Sequence, residues 1–317
     1  MELRHLRYFV AIAEEGSFTR AASRLGIQQP PLSQQLRLLE RELGLDLFVR
    51  HARGVSLTAA GEAFLADARS MLAAAQAASR RAARVAAGLE GSVTIGLATS
   101  AAGHPLAPAA IREFRRRNPQ VEISFIDGNA AELTEAVLES RAHVALVRAS
   151  VDRPPELRQE TLLREPLLVA ISSGHRLVSG SRARRASIGL AELRDESFVL
   201  VRRPGAPGIY GDLVLACNRA GFEPRIAAEV GNMFVNTTLV AAGVGVSVVP
   251  ASMAQSHAGE VRYVALRGVP GLAAPLKIIH RIAETNPAAL RFVALVRELA
   301  RLRAQKKPRA RLRSARR

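Results

Sequence analysis

Sulfur and aromatic rings are scarce in this 317-residue chain, which holds one cysteine (Cys217), four methionines, three tyrosines and no tryptophan. A single cysteine excludes an internal disulfide, so the fold does not depend on an oxidising compartment. Cys217 lies in the apolar row LVLACNRAG and reads as a small buried hydrophobe. Long apolar runs are missing too. The longest uncharged stretch, Val230 to Gly259, is interrupted by Asn232, Asn236, Gly243, Gly245 and Pro250. Its purely apolar part is far short of the roughly 20 residues a membrane helix needs. The first twenty residues carry Glu2, Glu14 and Glu15, so no signal peptide is expected. A cytoplasmic protein without membrane contact is the expectation.

Enzyme signatures are equally sparse. The seven histidines are scattered without His-x-x-x-His or Cys/His spacing, so neither a metal nor another cofactor is expected. There is no Gly-x-Ser-x-Gly elbow and no phosphate loop, and Gly243-Val-Gly245 stands between a helix and a following strand, the reverse of the dinucleotide order. Nothing favours a Ser/His/Asp triad, whose members need not be neighbours in sequence.

What is present describes a globular protein of two domains: 48% apolar residues, 23% charged, and a net charge of +17. The charge is uneven. Residues 301–317 hold nine lysines or arginines and no acid, and the other 300 residues carry only +8. The tail reads either as a solvated, disordered end or as a non-specific phosphate-binding arm. A nucleic-acid partner therefore has to be argued from a motif.

The first sixty residues supply one. Leu3, Leu6, Phe9, Val10 and Ala13 recur at helical spacing, Gly16 breaks that helix, and Ser17 caps a short second one through Phe18, Ala21, Ala22 and Leu25. After Gly26 and a tight turn at Ile27 and Gln28, a third helix opens at Gln29 or Pro30. Leu32, Leu36, Leu39 and Leu43 form its inner row, and Gln29, Ser33, Gln34 and Arg37 its outer face. Two short helices joined at a glycine, the second with an amide- and hydroxyl-rich face, match a helix–turn–helix; a generic helical subdomain with a solvated face is the alternative. Gln pairs bidentately with adenine edges, and Arg grips guanine or phosphate. The segment LDLFVRHARGVSLT then reads as a hairpin with Arg50, His51 and Arg53 at its tip, either a wing for phosphates and the minor groove or an ordinary surface turn. Thr58 caps an alanine-rich helix over 59–87, roughly 43 Å long. Its stripe of Phe64, Leu65, Ala68, Met71, Leu72, Ala75, Ala82 and Val85 calls for a partner, either the same helix of a second copy or the chain's own domain.

The stretch AASRLGIQQPPLSQQLRLLERELG, followed by LFVR and LTAAG, resembles the DNA-binding segment of LysR-type transcriptional regulators. The resemblance extends more loosely over nearly the whole chain except the basic tail. It implies an α/β chain with an all-α start: an N-terminal winged helix–turn–helix (1–58), a linker and dimerisation helix (59–88), and a two-lobed, periplasmic-binding-protein-like α/β effector domain (92–300). Lobe I would comprise 92–162 and 269–300, lobe II 163–268, with a disordered basic tail over 301–317. The implied partners are promoter DNA, a small anionic metabolite, a second copy of the chain in a homodimer or homotetramer, and RNA polymerase. The expected DNA-facing residues are Ser17, Thr19, Gln28, Gln29, Pro30, Pro31, Ser33, Gln34 and Arg37, with Arg50 and Arg53 on the wing.

From Ser92 onward strands and helices alternate: VTIGLA, VEISFID and HVALVR among the strands, LAPAAIREFRRR and AAELTEAVLES among the helices. This argues for mostly parallel sheets with helices on both faces, and a ligand cleft where strand ends meet helix starts. Thr99, Ser100 and Asn129 follow strands and read either as anion contacts or as caps. Arg148 ends an apolar strand and reads either as a carboxylate clamp or as an interlobe ion pair. Arg203, Pro204, Ile209 and Asn232 are the candidate effector contacts in the second lobe, read either as such or, by spacing alone, as ordinary loop and cap residues. The family resemblance places effector contacts at positions matching Ser100, Asn129, Arg148, Pro204 and Asn232, and the LVR ending at 146–148 resembles the subgroup that senses aromatic or dicarboxylic catabolites. His143 stands where the family usually has aspartate, and Asn129 where threonine is frequent.

Two classes remain beside an effector-switched regulator. One is an effector-independent, nucleoid-type DNA-binding protein. The other is a solute-binding or catalytic α/β protein whose N-terminal region only dimerises.

Overall fold

A computed structural model describes residues 1–317 except 53, 149–153, 183–184, 203–207 and 307–317. Arg53, Arg203 and Pro204, and the end of the expected tail, therefore lie outside the described residues. The chain divides into two units, Met1–Arg84 and Val85–Arg317.

The first unit begins with three helices, α1 (Leu3–Glu15), α2 (Phe18–Leu25) and α3 (Gln29–Leu43). The alanines of α2 are small enough to let the helices approach closely, and Ala21 and Ala22 are buried with Leu6, Phe9 and Ile12 of α1 and Leu32, Leu36 and Leu39 of α3. Gly26 turns the chain between α2 and α3 at φ 68°, a conformation that disfavours a side chain, and its N–H closes α2 onto Ala22 and Ser23 carbonyls. The strands β1 (Phe48–His51) and β2 (Gly54–Leu57) pair antiparallel as a hairpin. The ring of Phe9 packs between Phe48 and Phe64, at centroid distances of 5.3 and 5.2 Å, and so joins hairpin and helices in one core. The 28-residue helix α4 (Ala59–Ala86) starts where the Thr58 hydroxyl accepts the Gly61 N–H at 2.9 Å. Only Gly61 and Ala68 of α4 are buried, and residues 76–86 are exposed throughout.

In the second unit, β3 (Glu90–Ala98) leads through the short α5 (Thr99–Ala102) into α6 (Leu106–Arg117), followed by β4 (Gln120–Gly128), α7 (Ala130–Leu138), β5 (Val144–Val147) and β6 (Leu157–Glu165). The chain then enters the second lobe: β7 (Leu167–Ser172), β8 (Ser187–Gly189), β9 (Ser197–Val201), α8 (Gly208–Arg219), β10 (Arg225–Val230), α9 (Met233–Ala241), β11 (Ser247–Pro250) and β12 (Val261–Arg267). It returns as β13 (Ala274–Arg281) and α10 (Pro287–Lys306). Lobe I is a five-stranded sheet in the order β4-β3-β5-β13-β6, and lobe II carries a four-stranded sheet, β11-β7-β12-β8, beside the parallel pair β10-β9. Each lobe has its own apolar core. In lobe I, Phe114 of α6 meets Phe292 of α10 edge-on at 5.3 Å.

Three features differ from the sequence reading. Neither main sheet is mostly parallel: in lobe II β7 pairs antiparallel with both β11 and β12, and in lobe I β13 pairs antiparallel with both β5 and β6. The cause is connectivity. The chain enters lobe II on β7 and leaves it on β12, so the two neighbours run in opposite senses, as β6 and β13 do in lobe I. Residues 163–165 belong to lobe I, since the β6 ladder to β13 runs to Glu165 opposite Ala274, and the crossing falls at Pro166. The first part of the expected tail, 301–306, continues α10, and Arg303 there donates to the Pro105 carbonyl at 3.0 Å. Among the described residues no helix is long and apolar enough to cross a membrane.

Candidate functional sites: an open helix face and an interlobe cleft

The outer face of α3 is built by register. With Leu32, Leu36 and Leu39 turned inward, Gln28, Gln29, Pro30, Pro31, Gln34 and Arg37 are exposed and Ser33 is half-buried. Gln28 occupies the N-cap position but makes no capping bond, which leaves its amide unused locally. Ser17 caps α2 by accepting the Arg20 N–H at 3.4 Å, and Thr19 beside it is exposed.

Charge pairing separates the arginines of this unit into two sets. Arg4 is paired with Glu2, Arg24 with Glu14 and Glu15, and Arg69 with Glu14, at 2.9–3.2 Å. Hydrogen bonds from Arg69 and then Arg24 hold the Glu14 carboxyl below its ordinary value. Arg37 and Arg50, both exposed, form no ion pair with a carboxylate among the described residues. Exposed arginines without an acidic partner on the α3 face and on the hairpin suit a polyanion.

In the second unit the parallel strands β4, β3 and β5 end level with one another, Ala98 opposite Gly128 and Leu97 opposite Leu146. This brings Thr99, Ser100, Asn129 and Arg148 to one edge of the lobe I sheet. In lobe II, β9 and β10 end together at Val201 and Val230, next to Asn232; Ile209, in the first turn of α8, packs on the lobe II core. Local roles already engage several of these residues. The Asn129 Oδ1 accepts the N–H groups of Ala131 and Glu132 in a capping box, and the Asn232 Oδ1 accepts from Val235 at 2.9 Å. Thr99 is exposed and Ser100 half-buried.

Arg148 is only 4% exposed and lies between the lobes. Its Nε donates to the Ser100 carbonyl at 2.7 Å, and its Nη2 pairs with Glu165 and donates to the Ser252 hydroxyl at 3.0 Å. Ser252, which follows β11 in lobe II, donates both its N–H and its hydroxyl to Glu165, at 2.9 and 3.0 Å. Burial pulls the guanidinium below its ordinary value, against the opposing pull of Glu165. One atom of this cluster, Arg148 Nη1, is buried without a hydrogen-bond partner among the described residues. Sequence reasoning missed Glu165 and Ser252, which lie far from Arg148 in the chain; the available signal was a lone acid beside the proline at the lobe crossing. His143 fills a backbone role: its Nδ1 accepts the Thr94 N–H at 3.0 Å, a bond that a carboxylate at this position could also accept. Cys217 is fully buried, and burial pushes its thiol up to about 11, so it packs as a small hydrophobe. Among the described residues no cluster of three or more His, Cys, Asp or Glu could hold a metal ion.

The family described as bacterial regulatory helix-turn-helix protein, lysR family, matches residues 3–62, and the LysR substrate binding domain matches residues 86–301. The chain belongs to the LysR family and is a DNA-binding transcription regulator with an effector-binding domain, not an enzyme. It is 40% identical over 253 residues to the HTH-type transcriptional regulator BudR of Raoultella terrigena, covering 80% of this chain and 86% of that protein. It is 37% identical to the uncharacterized HTH-type transcriptional regulator YnfL of Escherichia coli K12, over 92% of this chain and 96% of that one. The crystal structure of full-length CbnR complexed with its target DNA superposes with a TM-score of 0.78 at 32% identity, over 95% of this chain and all of that one.

Proposed function

We propose that the regulator is switched by a small carboxylate-bearing metabolite held between the two lobes, with Arg148 Nη1 as its principal hydrogen-bond donor. The observation that carries this reading is the buried guanidinium nitrogen left without a partner in a cluster whose other members are paired. Leaving a buried charged donor unmet is costly, and an incoming oxygen anion would relieve it. Because Glu165 and Ser252 already occupy Nη2, the ligand meets Arg148 through one nitrogen of the fork. Thr99, Ser100, Asn129, Ile209 and Asn232 would supply its further contacts, and aromatic or dicarboxylic acids are the class to try first. Ligand binding must favour one arrangement of the lobes over another to alter DNA binding.

On the DNA side, Gln28, Gln29, Pro30, Ser33, Gln34 and Arg37 would enter the major groove, with Ser17, Thr19, Pro31 and Arg50 along the backbone. The exposed length of α4 would pair with a second copy, giving the homodimer or homotetramer that presents two reading heads. A DNA target places the protein in the cytoplasm, with RNA polymerase as a further partner.

The test is a genomic DNA pull-down with the full-length protein, with and without a panel of aromatic and dicarboxylic acids, repeated with Arg148→Lys. Lysine keeps a charge toward Glu165 but lacks the second nitrogen of the fork. The expected result is a ligand-dependent change in the bound fragments that the variant loses while its basal binding persists. A normal dose–response in Arg148→Lys would reject the role of Nη1, and an unresponsive wild-type protein would favour the effector-independent alternative.

A further inference from the structure

The wing arginine does not stand free. Phe48 and Arg50 are two residues apart on β1 and so project from the same face of the hairpin. Both meet one ring, that of Phe18 at the start of α2: the Phe48 centroid lies 6.3 Å away, and the Arg50 guanidinium carbon sits 4.9 Å above the ring centre. Phe18 is 7% exposed and held in the core of the first unit, so the platform beneath Arg50 is rigid. The hairpin is also fastened to the turn before α2. Val55 N–H donates to the Gly16 carbonyl at 3.2 Å, and a Cβ on Gly54 would stand 2.5 Å from that same oxygen.

We propose that Phe18 is a positioning residue for DNA binding: its ring face holds the Arg50 guanidinium beside the start of α2, poised for a backbone phosphate. This rests on the reading that Arg50 touches DNA. The chemistry differs from that of the neighbouring arginines. An ion pair of the Arg24–Glu14 kind cancels charge and occupies the donors. An aromatic face attracts the cation through its quadrupole and leaves the charge and the edge N–H groups available. It also removes in advance much of the rotamer freedom that a long side chain would otherwise lose on binding.

The experiment is a double-mutant cycle on the full-length protein, with anisotropy titrations of a labelled duplex recovered in the genomic pull-down, at several salt concentrations. Arg50→Met should weaken binding and lower the salt slope by about 1, the signature of one lost phosphate contact. Phe18→Leu keeps an apolar core residue but removes the ring, and should weaken binding about threefold, as loss of a modest cation–π contact would. In the Arg50→Met background, Phe18→Leu should cost nothing more, whereas Phe18→Tyr should bind like the wild type. Should Phe18→Leu fail to fold, the exposed Arg50→Lys change reads the same contact, because it keeps the charge and loses the planar stack. Its expected result is weaker binding with an unchanged unfolding midpoint. Equal losses from Phe18→Leu in both backgrounds, or wild-type affinity in Phe18→Leu or Arg50→Lys, would overturn the positioning role. An Arg50→Met protein with full affinity and slope would instead remove Arg50 itself from the DNA contacts.

Discussion

On the outer face of α3, Gln29, Gln34 and Arg37 stand exposed, and Arg37 forms no ion pair among the described residues. In the two-lobed unit, Asn129 and Asn232 cap their own helices and Arg148 is paired with Glu165. The contrast follows from the size of the partner. A duplex covers a whole helix face at once, so that face carries side chains with little local employment and pays for them only with hydration. A small ligand must be buried, and buried polar groups have to be satisfied in its absence as well. On the proposed reading, the signal in the cleft is a remainder, one nitrogen of Arg148, where on α3 it is a surface.

The largest expected effect tests this contrast directly. Glu165→Ala leaves Arg148 buried without its counter-charge and should lower the unfolding free energy by about 3–5 kcal/mol. Arg37→Ala should leave stability within about 0.5 kcal/mol of wild type. Similar urea-unfolding curves for the two variants would break the comparison. Next in size, Arg37→Ala should weaken specific DNA binding by about 1–3 kcal/mol and relax base preference at one position, read from competition titrations against mismatched duplexes. An unchanged site profile would remove Arg37 from the reading set.

Smaller again, Asn129→Ala and Asn232→Ala should each cost about 1 kcal/mol of stability through lost caps, and serine at either position should restore most of it in thermal melts. If Asn129→Ser restores the melt but not the ligand response, the carboxamide itself meets the ligand. The smallest effect lies on the surface of lobe I. Hydrogen bonds from Arg116 and then Arg117 hold Glu113 down from 4.5 to about 2. Its folded value is below its unfolded one, so its contribution is fully present above pH 4.5 and is lost as the pH falls toward about 2. Glu113→Gln should therefore give a shallower fall in melting temperature across that window. An acid limb as steep as that of the wild type would show that Glu113 carries none of it.

Much of the first unit was legible in its residues. The Leu32–Leu36–Leu39 row, the Ser17 cap and the Gly26 turn are local features with a fixed period, so helix positions and the open face of α3 follow from spacing. The wing was legible as a hairpin, but Phe18 read as an ordinary core residue, since helical periodicity says nothing about which strand residue lies across a ring. In the second unit the strands and helices of lobe I were readable, and of the positions seen as possible caps Asn129 and Asn232 do cap their helices. The sense of β7 and the place of residues 163–165 were not, because both depend on which strands become neighbours when the chain crosses twice between lobes.

Local sequence was sufficient to specify the helix–turn–helix with its polar outer face, because backbone capping and apolar periodicity act within a few residues. Folding alone decided that Arg148 meets Glu165 and Ser252, and that Arg50 lies on Phe18. Those contacts join residues from 17 to 104 positions apart in the chain, and their energies depend on burial and orientation that exist only once the two lobes and the wing have packed.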